Sequence, residues 1–183
     1  SFPKKIQFLL IARLLGDKGV REYFIAAKAV RKNHPDIKFG LVGWIDNHPD
    51  AISKKELDES IDAGDIFFYG RMDDVNPAIS ESSVYVLPSY REGTPRTVLE
   101  AMAMGRPIIT TDAPGCKETV KDGINGYIVK VKSSQALVEA MLCFIEQPEL
   151  IESMGNSSRK IAEEKYDVDK VNKHMMIEMG FKI

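Results

Sequence analysis

The sequence is poor in cysteine and histidine, and it lacks several well-known catalytic motifs. Its two cysteines, Cys116 and Cys143, show no Cys-x-x-Cys spacing, which argues against a disulfide framework or a zinc site and suits a reducing compartment. The three histidines, His34, His48 and His174, are scattered, and none is placed like a catalytic base. G-x-S-x-G, Walker A and G-x-G-x-x-G sequences are missing, which excludes hydrolase, P-loop and dinucleotide-binding interpretations.

The chain also lacks an excess of charge and any long apolar run. Its net charge of −2 gives no electrostatic footprint for nucleic acid. No apolar run approaches the roughly 20 residues of a spanning helix, and no signal peptide is recognisable. A length of 183 residues, 44% hydrophobic and 28% charged, predicts one globular domain over 1–183. Because the chain opens with Ser1-Phe2-Pro3 and enters a strand almost at once, we expect a fragment of a longer, cytoplasmic protein.

Short apolar runs alternate with amphipathic patterns along the chain. The runs predict strands at 6–11, 38–43, 65–70, 84–88, 107–112 and 126–131. The helical patterns lie at 19–32, 53–62, 95–104, 134–146, 149–165 and 168–179. This alternation predicts an α/β, Rossmann-like three-layer domain with a parallel sheet of about six strands. Ligands of such sheets bind beyond the carboxyl ends of the strands, so the loops that follow strands are the candidates for function.

The segment 91–107, REGTPRTVLEAMAMGRP, carries the start and stop signals of one of these helices. Thr94 is a good N-cap, and Pro95 suits the first helical position. Gly105 suits the residue just beyond the helix, where a left-handed conformation is common. The segment therefore predicts a helix that begins at the end of a strand, next to the expected ligand site.

Two glutamates flank the start of this helix. Glu92 should lie on the preceding loop and Glu100 more than a turn inside the helix. Backbone N–H groups of the first turn should point into the gap, which places an anion site beside two carboxylates that can bind hydroxyls. A phosphate flanked by polyols indicates a nucleotide sugar. The alternative, an exposed pair of Glu100 with Arg96, has the weaker order of charges and leaves Glu92 unexplained.

The loop after the first predicted strand brings two cations to the same edge of the sheet. Arg13 and Lys18 can neutralise a diphosphate, and Gly16 and Gly19 should let the backbone approach a ligand closely. The alternative is a basic turn beside a helix start. We prefer the diphosphate interpretation because the glutamate motif occurs in the same chain.

The loops after the second and third strands give weaker signals. Arg71 or Met72 could lie beside a nucleobase, although a purely structural turn explains them equally well. Gly43 permits close approach to the site, and Trp44 could line the cleft or cover the sheet end. The acidic pair Asp73-Asp74 precedes a helical pattern, so we interpret it as a helix cap and predict no metal site.

Four stretches together resemble the C-terminal, donor-binding half of retaining GT-B glycosyltransferases of family 4, the glycosyl transferases group 1. They are IARLLGDKG, LVG, FYGR and PSYREGTPRTVLEAMAMGRPIITTDAPGCKETVKDGINGYIV. Glutamates in E-x7-E spacing followed by AMA-x-G-x-P are the most specific feature. SYREGTPR and TTDAPGC are similar to the subgroup that makes bacterial capsular and lipid-linked surface sugars, including N-acetylhexosamine transferases.

The resemblance implies a role for each motif. Arg13 and Lys18 would hold the donor diphosphate, Glu100 the ribose hydroxyls, and Glu92 the transferred sugar. Arg71 or Met72 would lie beside the base, with Gly43 close to the donor. The residues meeting the sugar or phosphate at the helix start would be Gly93, Thr94, Pro95 and Thr97.

The resemblance also implies how the chemistry proceeds. Sugar would be transferred with retention from a nucleotide diphosphate donor, with UDP the expected nucleotide, and neither metal nor cofactor would be needed. The acceptor, a glycan or lipid-linked sugar, would be bound by an N-terminal half absent from this chain, with peripheral contact at the inner face of the membrane. The isolated chain should therefore bind donor without efficient catalysis. Two alternatives stay open: a non-catalytic nucleotide-sugar-binding module, and a GT-B-type epimerase acting on UDP-N-acetylglucosamine.

Overall fold

The computed structural model describes residues 5–93 and 95–165, which form three layers around a six-stranded parallel sheet of order β3-β2-β1-β4-β5-β6. The strands are β1 Gln7–Ile11, β2 Lys38–Val42, β3 Phe67–Gly70, β4 Val84–Leu87, β5 Ile108–Thr111 and β6 Gly126–Val129. The helices are α1 Val20–Asn33, α2 Lys54–Asp62, α3 Asn76–Glu81, α4 Arg96–Ala103, α5 Ser134–Glu146 and α6 Glu149–Lys165. The predicted fold class is confirmed. The predicted helix at 168–179 lies outside the described residues.

The strands β1, β4 and β5 are buried on both faces, which explains why they are continuous apolar runs, whereas the edge strand β3 is only partly covered. In β1, Phe8 and Leu10 point into a cluster with α1 and α5, whereas Leu9 and Ile11 point into a second cluster with α3 and α4. Successive side chains of a strand face opposite ways, so a single apolar run supplies both cores. Within the described ranges, no helix is long and apolar enough to cross a membrane.

The order of the strands fixes where a ligand crevice can form. From β1 the chain moves outward through β2 to β3, then returns to place β4 on the other side of β1 and moves outward again through β5 to β6. The carboxyl ends of β1 and β4 therefore carry loops that diverge in opposite directions. This reversal of direction leaves a crevice between the two strand ends, the usual ligand position in open parallel sheets.

Helix α4, which borders this crevice, begins one residue later than predicted. Pro95 has extended backbone angles (φ −76°, ψ 96°), and its carbonyl accepts hydrogen bonds from the N–H groups of Val98 and Leu99. It is therefore the N-cap residue, and the prediction that it is the first helical residue is wrong. Thr94, the predicted N-cap, lies outside the described residues.

The other end of α4 matches the sequence-based expectation. Gly105 adopts the left-handed conformation with φ +71° and donates its N–H to the Met102 carbonyl. The Arg106 N–H bonds to the Ala101 carbonyl. This pair of bonds is a Schellman motif, which satisfies carbonyls that the helix leaves without partners.

Some polar residues of the loops bind backbone N–H groups at the starts of two further helices, α2 and α3. Ser53 and Glu56 form a capping box at α2, and the Arg21 guanidinium lowers the pKa of Glu56 to about 2. An Asp74 carboxylate oxygen accepts a hydrogen bond from the Asn76 N–H at the start of α3, 3.0 Å away. The interpretation of Asp73-Asp74 as the helix cap is therefore wrong, because Val75 is the N-cap of α3 and Asp74 supports the helix start from one residue earlier.

Candidate functional site

A cavity of about 320 Å³ opens at the carboxyl ends of β1 and β4, where the strand order reverses. Its walls come from the end of β1 and the following turn, the end of β4, and the first turn of α4. The lining residues are Ile11, Ala12, Arg13, Lys18, Leu87, Glu92, Pro95, Arg96 and Thr97. Five predicted site residues therefore share one cavity: Arg13, Lys18, Glu92, Pro95 and Thr97.

Lys18 and Glu92 form an ion pair in the wall of this cavity. The Lys18 Nζ atom lies 2.8 Å from Glu92 Oε1, and the two side chains are only 16% and 17% exposed. Ser89 Oγ donates to the same Oε1 atom at 2.7 Å. No described residue donates to Glu92 Oε2, so one oxygen of the carboxylate is left for a ligand. Ser89, which fixes the other oxygen, was missed in the sequence because its partner is visible only in the folded structure.

The backbone around Glu92 is held by two neighbouring loops. The Glu92 N–H donates to the Pro114 carbonyl at 3.1 Å, and the Tyr90 N–H donates to the Asp17 carbonyl at 2.8 Å. A β-carbon on Gly115, which has φ +81°, would lie 2.0 Å from the Glu92 carbonyl oxygen. The loop that contains Pro114 and Gly115 therefore supports the Glu92 loop directly.

Arg13 is paired with an acidic residue that the sequence analysis did not single out. Its Nη1 atom lies 3.0 Å from an Asp46 carboxylate oxygen, and the side chains are 51% and 26% exposed. Asp46 belongs to the loop after β2, one of the strand-end loops, and an acidic residue there was the available signal. Exposed ion pairs of this kind contribute only about 0.2–1 kcal/mol, so an anionic ligand can replace the carboxylate.

The first turn of α4 offers donors to the cavity. Among residues 5–93 and 95–165, nothing accepts a hydrogen bond from the backbone N–H of Arg96 or Thr97. The Thr97 Oγ1 atom lies 2.7 Å from the hydroxyl oxygen of Tyr85. Gly93 is exposed, and a β-carbon there would meet open space, so the chain beside the cavity mouth is uncrowded. Amides at the start of a helix favour an anion.

Glu100 lies near the cavity but is not part of its wall. Burial raises the pKa of Tyr85, and the carboxylates of Glu92 and Glu100 raise it further, which places both charges within electrostatic range of that hydroxyl. Arg96 is exposed, and no described carboxylate pairs with it. The surface pair of Glu100 with Arg96, considered as an alternative from the sequence, is therefore not formed.

Two glycines of the strand-end loops, Gly43 and Gly19, are required by packing of the backbone, and the predicted approach of a ligand to them stays a prediction. A β-carbon on Gly43 would lie 2.0 Å from the Ala12 carbonyl oxygen, where the chain leaves β1. On Gly19, which has φ +70°, it would lie 2.2 Å from the Pro88 carbonyl oxygen. The atoms that require glycine at these positions belong to the protein backbone, because neighbouring strand-end loops are pressed together.

The predicted base-binding residues lie away from the described cavity wall. The Arg71 guanidinium carbon is 5.0 Å from the ring centroid of Trp44, a cation–π contact between the ends of β2 and β3. Trp44 is 40% exposed, and Met72 packs against the apolar cluster that contains α4. Arg71 and Trp44 thus form an exposed corner of the sheet end. A role for Arg71 or Met72 beside a base stays a prediction.

A larger cavity of about 490 Å³ lies elsewhere, at the amino ends of β2 and β3. Its wall contains Lys38, Phe67 and Arg31, and the Arg31 guanidinium lies 3.8 Å from Asp65. None of the predicted site residues lines it. In the part of the chain that the structure describes, no group of three or more His, Cys, Asp or Glu residues could hold a metal ion.

Comparison with known proteins identifies the family. The family model described as Glycosyl transferases group 1 matches residues 1–161. The chain belongs to this family. It is 33% identical over 150 residues to the N,N'-diacetylbacillosaminyl-diphospho-undecaprenol alpha-1,3-N-acetylgalactosaminyltransferase of Campylobacter jejuni, a match covering 82% of this chain and 38% of that protein.

Two solved structures place the chain within its family. The C-terminal domain of the glycosyl transferase group 1 family protein LpcC from Francisella tularensis is 28% identical, with a TM-score of 0.80 over 91% of this chain and 89% of that one. The pneumococcal O-GlcNAc transferase GtfA, solved with UDP and GlcNAc, is 25% identical, with a TM-score of 0.78 over 94% of this chain and 36% of that one.

The group 1 chain is thus similar to one part of larger enzymes. It spans 38% to 46% of the length of the first three curated relatives that it matches. The predicted family and the resemblance to a C-terminal GT-B domain are confirmed. The roles of individual residues stay predictions, and they are taken up below as proposals.

Proposed function

We propose that this chain binds a nucleoside diphosphate sugar in the cavity between β1 and β4, and that residues 1–183 act as the donor-binding domain of a retaining glycosyltransferase. One observation carries the proposal. Two cations, a carboxylate with a free oxygen and the first turn of a helix converge on a single cavity at the reversal point of the sheet. These groups match the charges and hydroxyls of a sugar diphosphate.

In this proposal the two cations neutralise the diphosphate. Lys18 turns from Glu92 towards one phosphate oxygen. Arg13 leaves the Asp46 carboxylate and binds a second phosphate oxygen. The backbone N–H groups of Arg96 and Thr97, which have no acceptor among the described residues, add donors without charge. With two cations and a helix N-terminus available, the site can hold the diphosphate without a divalent metal, so we propose neither metal nor cofactor.

The carboxylates recognise hydroxyl groups. Glu92, whose Oε2 atom has no donor among the described residues, accepts hydrogen bonds from the transferred sugar, and Glu100 binds the ribose. Gly93 and the start of α4, including Pro95 and Thr97, border the sugar and phosphates. Arg71 or Met72 lies beside the base, at the sheet end that carries Trp44.

The proposed reaction breaks the bond between the sugar carbon and the phosphate oxygen and forms a bond from that carbon to an acceptor oxygen. The acceptor attacks from the face that the nucleoside diphosphate leaves, so the anomeric configuration is retained, and the proton of the acceptor hydroxyl passes to the departing phosphate oxygen. Arg13 and Lys18 stabilise the negative charge that grows on the departing phosphate. We propose that the groups that bind the acceptor belong to a part of the enzyme outside these 183 residues, as the relatives are longer than the region they share with this chain.

The names of the relatives guide the choice of substrates. UDP, bound in the GtfA structure, is the proposed nucleotide, and an N-acetylhexosamine is the proposed sugar. The Campylobacter enzyme acts, by its name, on an undecaprenol-linked sugar. We propose a lipid-linked or glycan acceptor, used in the cytoplasm at the inner face of the membrane.

Calorimetric titration with UDP tests the donor site. Wild type should bind UDP, and Arg13→Ala or Lys18→Ala should each weaken binding by roughly 1.5–3 kcal/mol, the usual worth of a hydrogen bond to a charged group. Lys28→Ala is the matched control, because Lys28 is exposed on α1 and does not line the cavity. Equal UDP binding by wild type and both cavity variants would contradict the assignment.

A further inference from the structure

Tyr85 is a core residue whose hydroxyl group contacts residues that line the cavity. It lies on β4, it is completely buried, and it does not line the cavity itself. Its hydroxyl oxygen lies 2.7 Å from Thr97 Oγ1 in the first turn of α4 and 3.4 Å from the Ile11 carbonyl oxygen at the end of β1. One buried hydroxyl thus joins the two elements that form opposite walls of the cavity.

The lengths of these contacts indicate where the protons lie. A tyrosine hydroxyl has a single proton, and the contact with Thr97 is much the shorter, so Tyr85 donates chiefly to Thr97 Oγ1. The threonine hydroxyl must then direct its own proton elsewhere. Among the described residues, Thr97 Oγ1 has no second partner, and Thr97 lines the cavity. Within residues 5–93 and 95–165, this proton therefore has no protein acceptor and faces the cavity that Thr97 lines.

We propose that Tyr85 is a positioning residue that holds the Thr97 hydroxyl as a hydrogen-bond donor towards a phosphate oxygen of the bound nucleoside diphosphate. This inference rests on the proposed donor site. Without the Tyr85 hydroxyl, the Thr97 hydroxyl rotates freely, and its proton no longer has a fixed direction towards the ligand. With Tyr85 in place, the hydroxyl is oriented before the ligand arrives, which lowers the entropic cost of binding.

The surroundings of Thr97 favour phosphate as its partner. Lys18 and Arg13 line the same cavity, and the Thr97 backbone N–H has no acceptor among the described residues. A hydroxyl proton beside these groups adds a further donor to a site already suited to an anion. Burial and the nearby carboxylates raise the pKa of Tyr85, so the phenol stays protonated and keeps donating.

A double-mutant cycle measured by calorimetry with UDP tests the inference on the 183-residue chain. Thr97→Val removes the donor and should weaken UDP binding about tenfold, as expected for a bond to a charged group. Tyr85→Phe keeps the ring but removes the orienting hydroxyl, and should weaken binding about fivefold. Added to Thr97→Val, Tyr85→Phe should have no further effect, because its influence passes through the threonine.

Tyr23→Phe is the matched control for loss of a buried phenol. Tyr23 is also completely buried, and its hydroxyl donates to the Gly40 carbonyl at 3.0 Å, in the core cluster on the α1 face of the sheet. This variant should lose stability to a similar degree in urea unfolding, yet bind UDP like wild type. A merely structural role for Tyr85 predicts equal effects of both tyrosine substitutions on UDP binding.

The outcomes separate the inference from the proposed function. UDP binding that is unchanged in Tyr85→Phe, or weakened as much in the Thr97→Val background as in wild type, would overturn the inference alone. Failure of the wild-type chain to bind UDP, GDP or ADP would overturn the proposed donor site and this inference with it.

Discussion

Each of the two cations that line the cavity has an acidic partner. Lys18 is held by Glu92 within a largely buried pair, whereas Arg13 meets Asp46 in a more exposed one. Removing one member of a buried pair leaves an uncompensated charge, which is costly, so we expect Glu92 to hold Lys18 in place until a phosphate binds. The pair of Arg13 with Asp46 is more exposed and has no such structural need. We therefore expect Asp46 to compete with the ligand for the Arg13 guanidinium.

This difference gives a prediction for Asp46. Asp46→Asn should strengthen UDP binding by about 1.4- to fivefold, because an exposed ion pair worth about 0.2–1 kcal/mol no longer has to be broken. Asp58→Asn is the control, since Asp58 pairs with Lys54 on the exposed surface of α2. Calorimetry with UDP measures both variants. A weaker or unchanged affinity in Asp46→Asn would mean that Asp46 does not compete with the ligand.

At the scale of secondary-structure elements, the sequence predicts well what depends on one segment. Strands buried on both faces must be apolar throughout, so all six strands were found, with ends shifted by at most two residues. The convergence of Lys18 and Glu92 could also be predicted, because both follow strands of one parallel sheet. The short helix α3 was anticipated only as a pattern after Asp74, and α4 begins after Pro95 rather than at it.

Features that depend on two distant segments were missed. Gly43 was expected to face a ligand, but the backbone beside it is that of Ala12. Asp46 and Tyr85 were not recognised, because their partners become visible only when the strand register is known. Local propensity contains no information on which loop is pressed against which, so the reason for a glycine or a buried hydroxyl appears only in the folded chain.

The loop around Gly115 gives a prediction at this scale. Gly115→Ala should lower the free energy of unfolding by roughly 2–4 kcal/mol and weaken UDP binding, because a β-carbon would displace the Glu92 backbone and φ is left-handed. Gly123 is a close control: its φ is +72°, but no atom lies within 4 Å of an added β-carbon.

Gly123→Ala should therefore show only the cost of the left-handed backbone, about 1 kcal/mol, with UDP affinity unchanged. Urea unfolding and calorimetry on the same samples separate the two effects. Equal loss of stability in both variants, with UDP affinity preserved in Gly115→Ala, would contradict the proposed support of Glu92 by this loop.

At the scale of the whole molecule, binding and turnover should be separable. The residues proposed to bind the sugar donor come together within this chain. The chain, however, spans only 38% of the length of its Campylobacter relative. Binding of UDP to the folded form should stabilise the chain, by about 2.7 kcal/mol when UDP is at a hundred times its dissociation constant. A chain that holds only the donor provides no positioned acceptor hydroxyl, and positioning contributes a large part of enzymatic rate.

We therefore predict that the 183-residue chain binds UDP-N-acetylglucosamine or its epimer but neither transfers nor epimerises the sugar. Incubation with labelled donor, followed by chromatography of nucleotide and sugar, measures both reactions, and Lys18→Ala serves as the control without a functional diphosphate site. An epimer formed without any acceptor would contradict the prediction and favour the epimerase. Transfer to a lipid-linked acceptor by a longer form of the protein that contains this domain would in turn exclude a module that only binds nucleotide sugars, because binding alone cannot move the sugar.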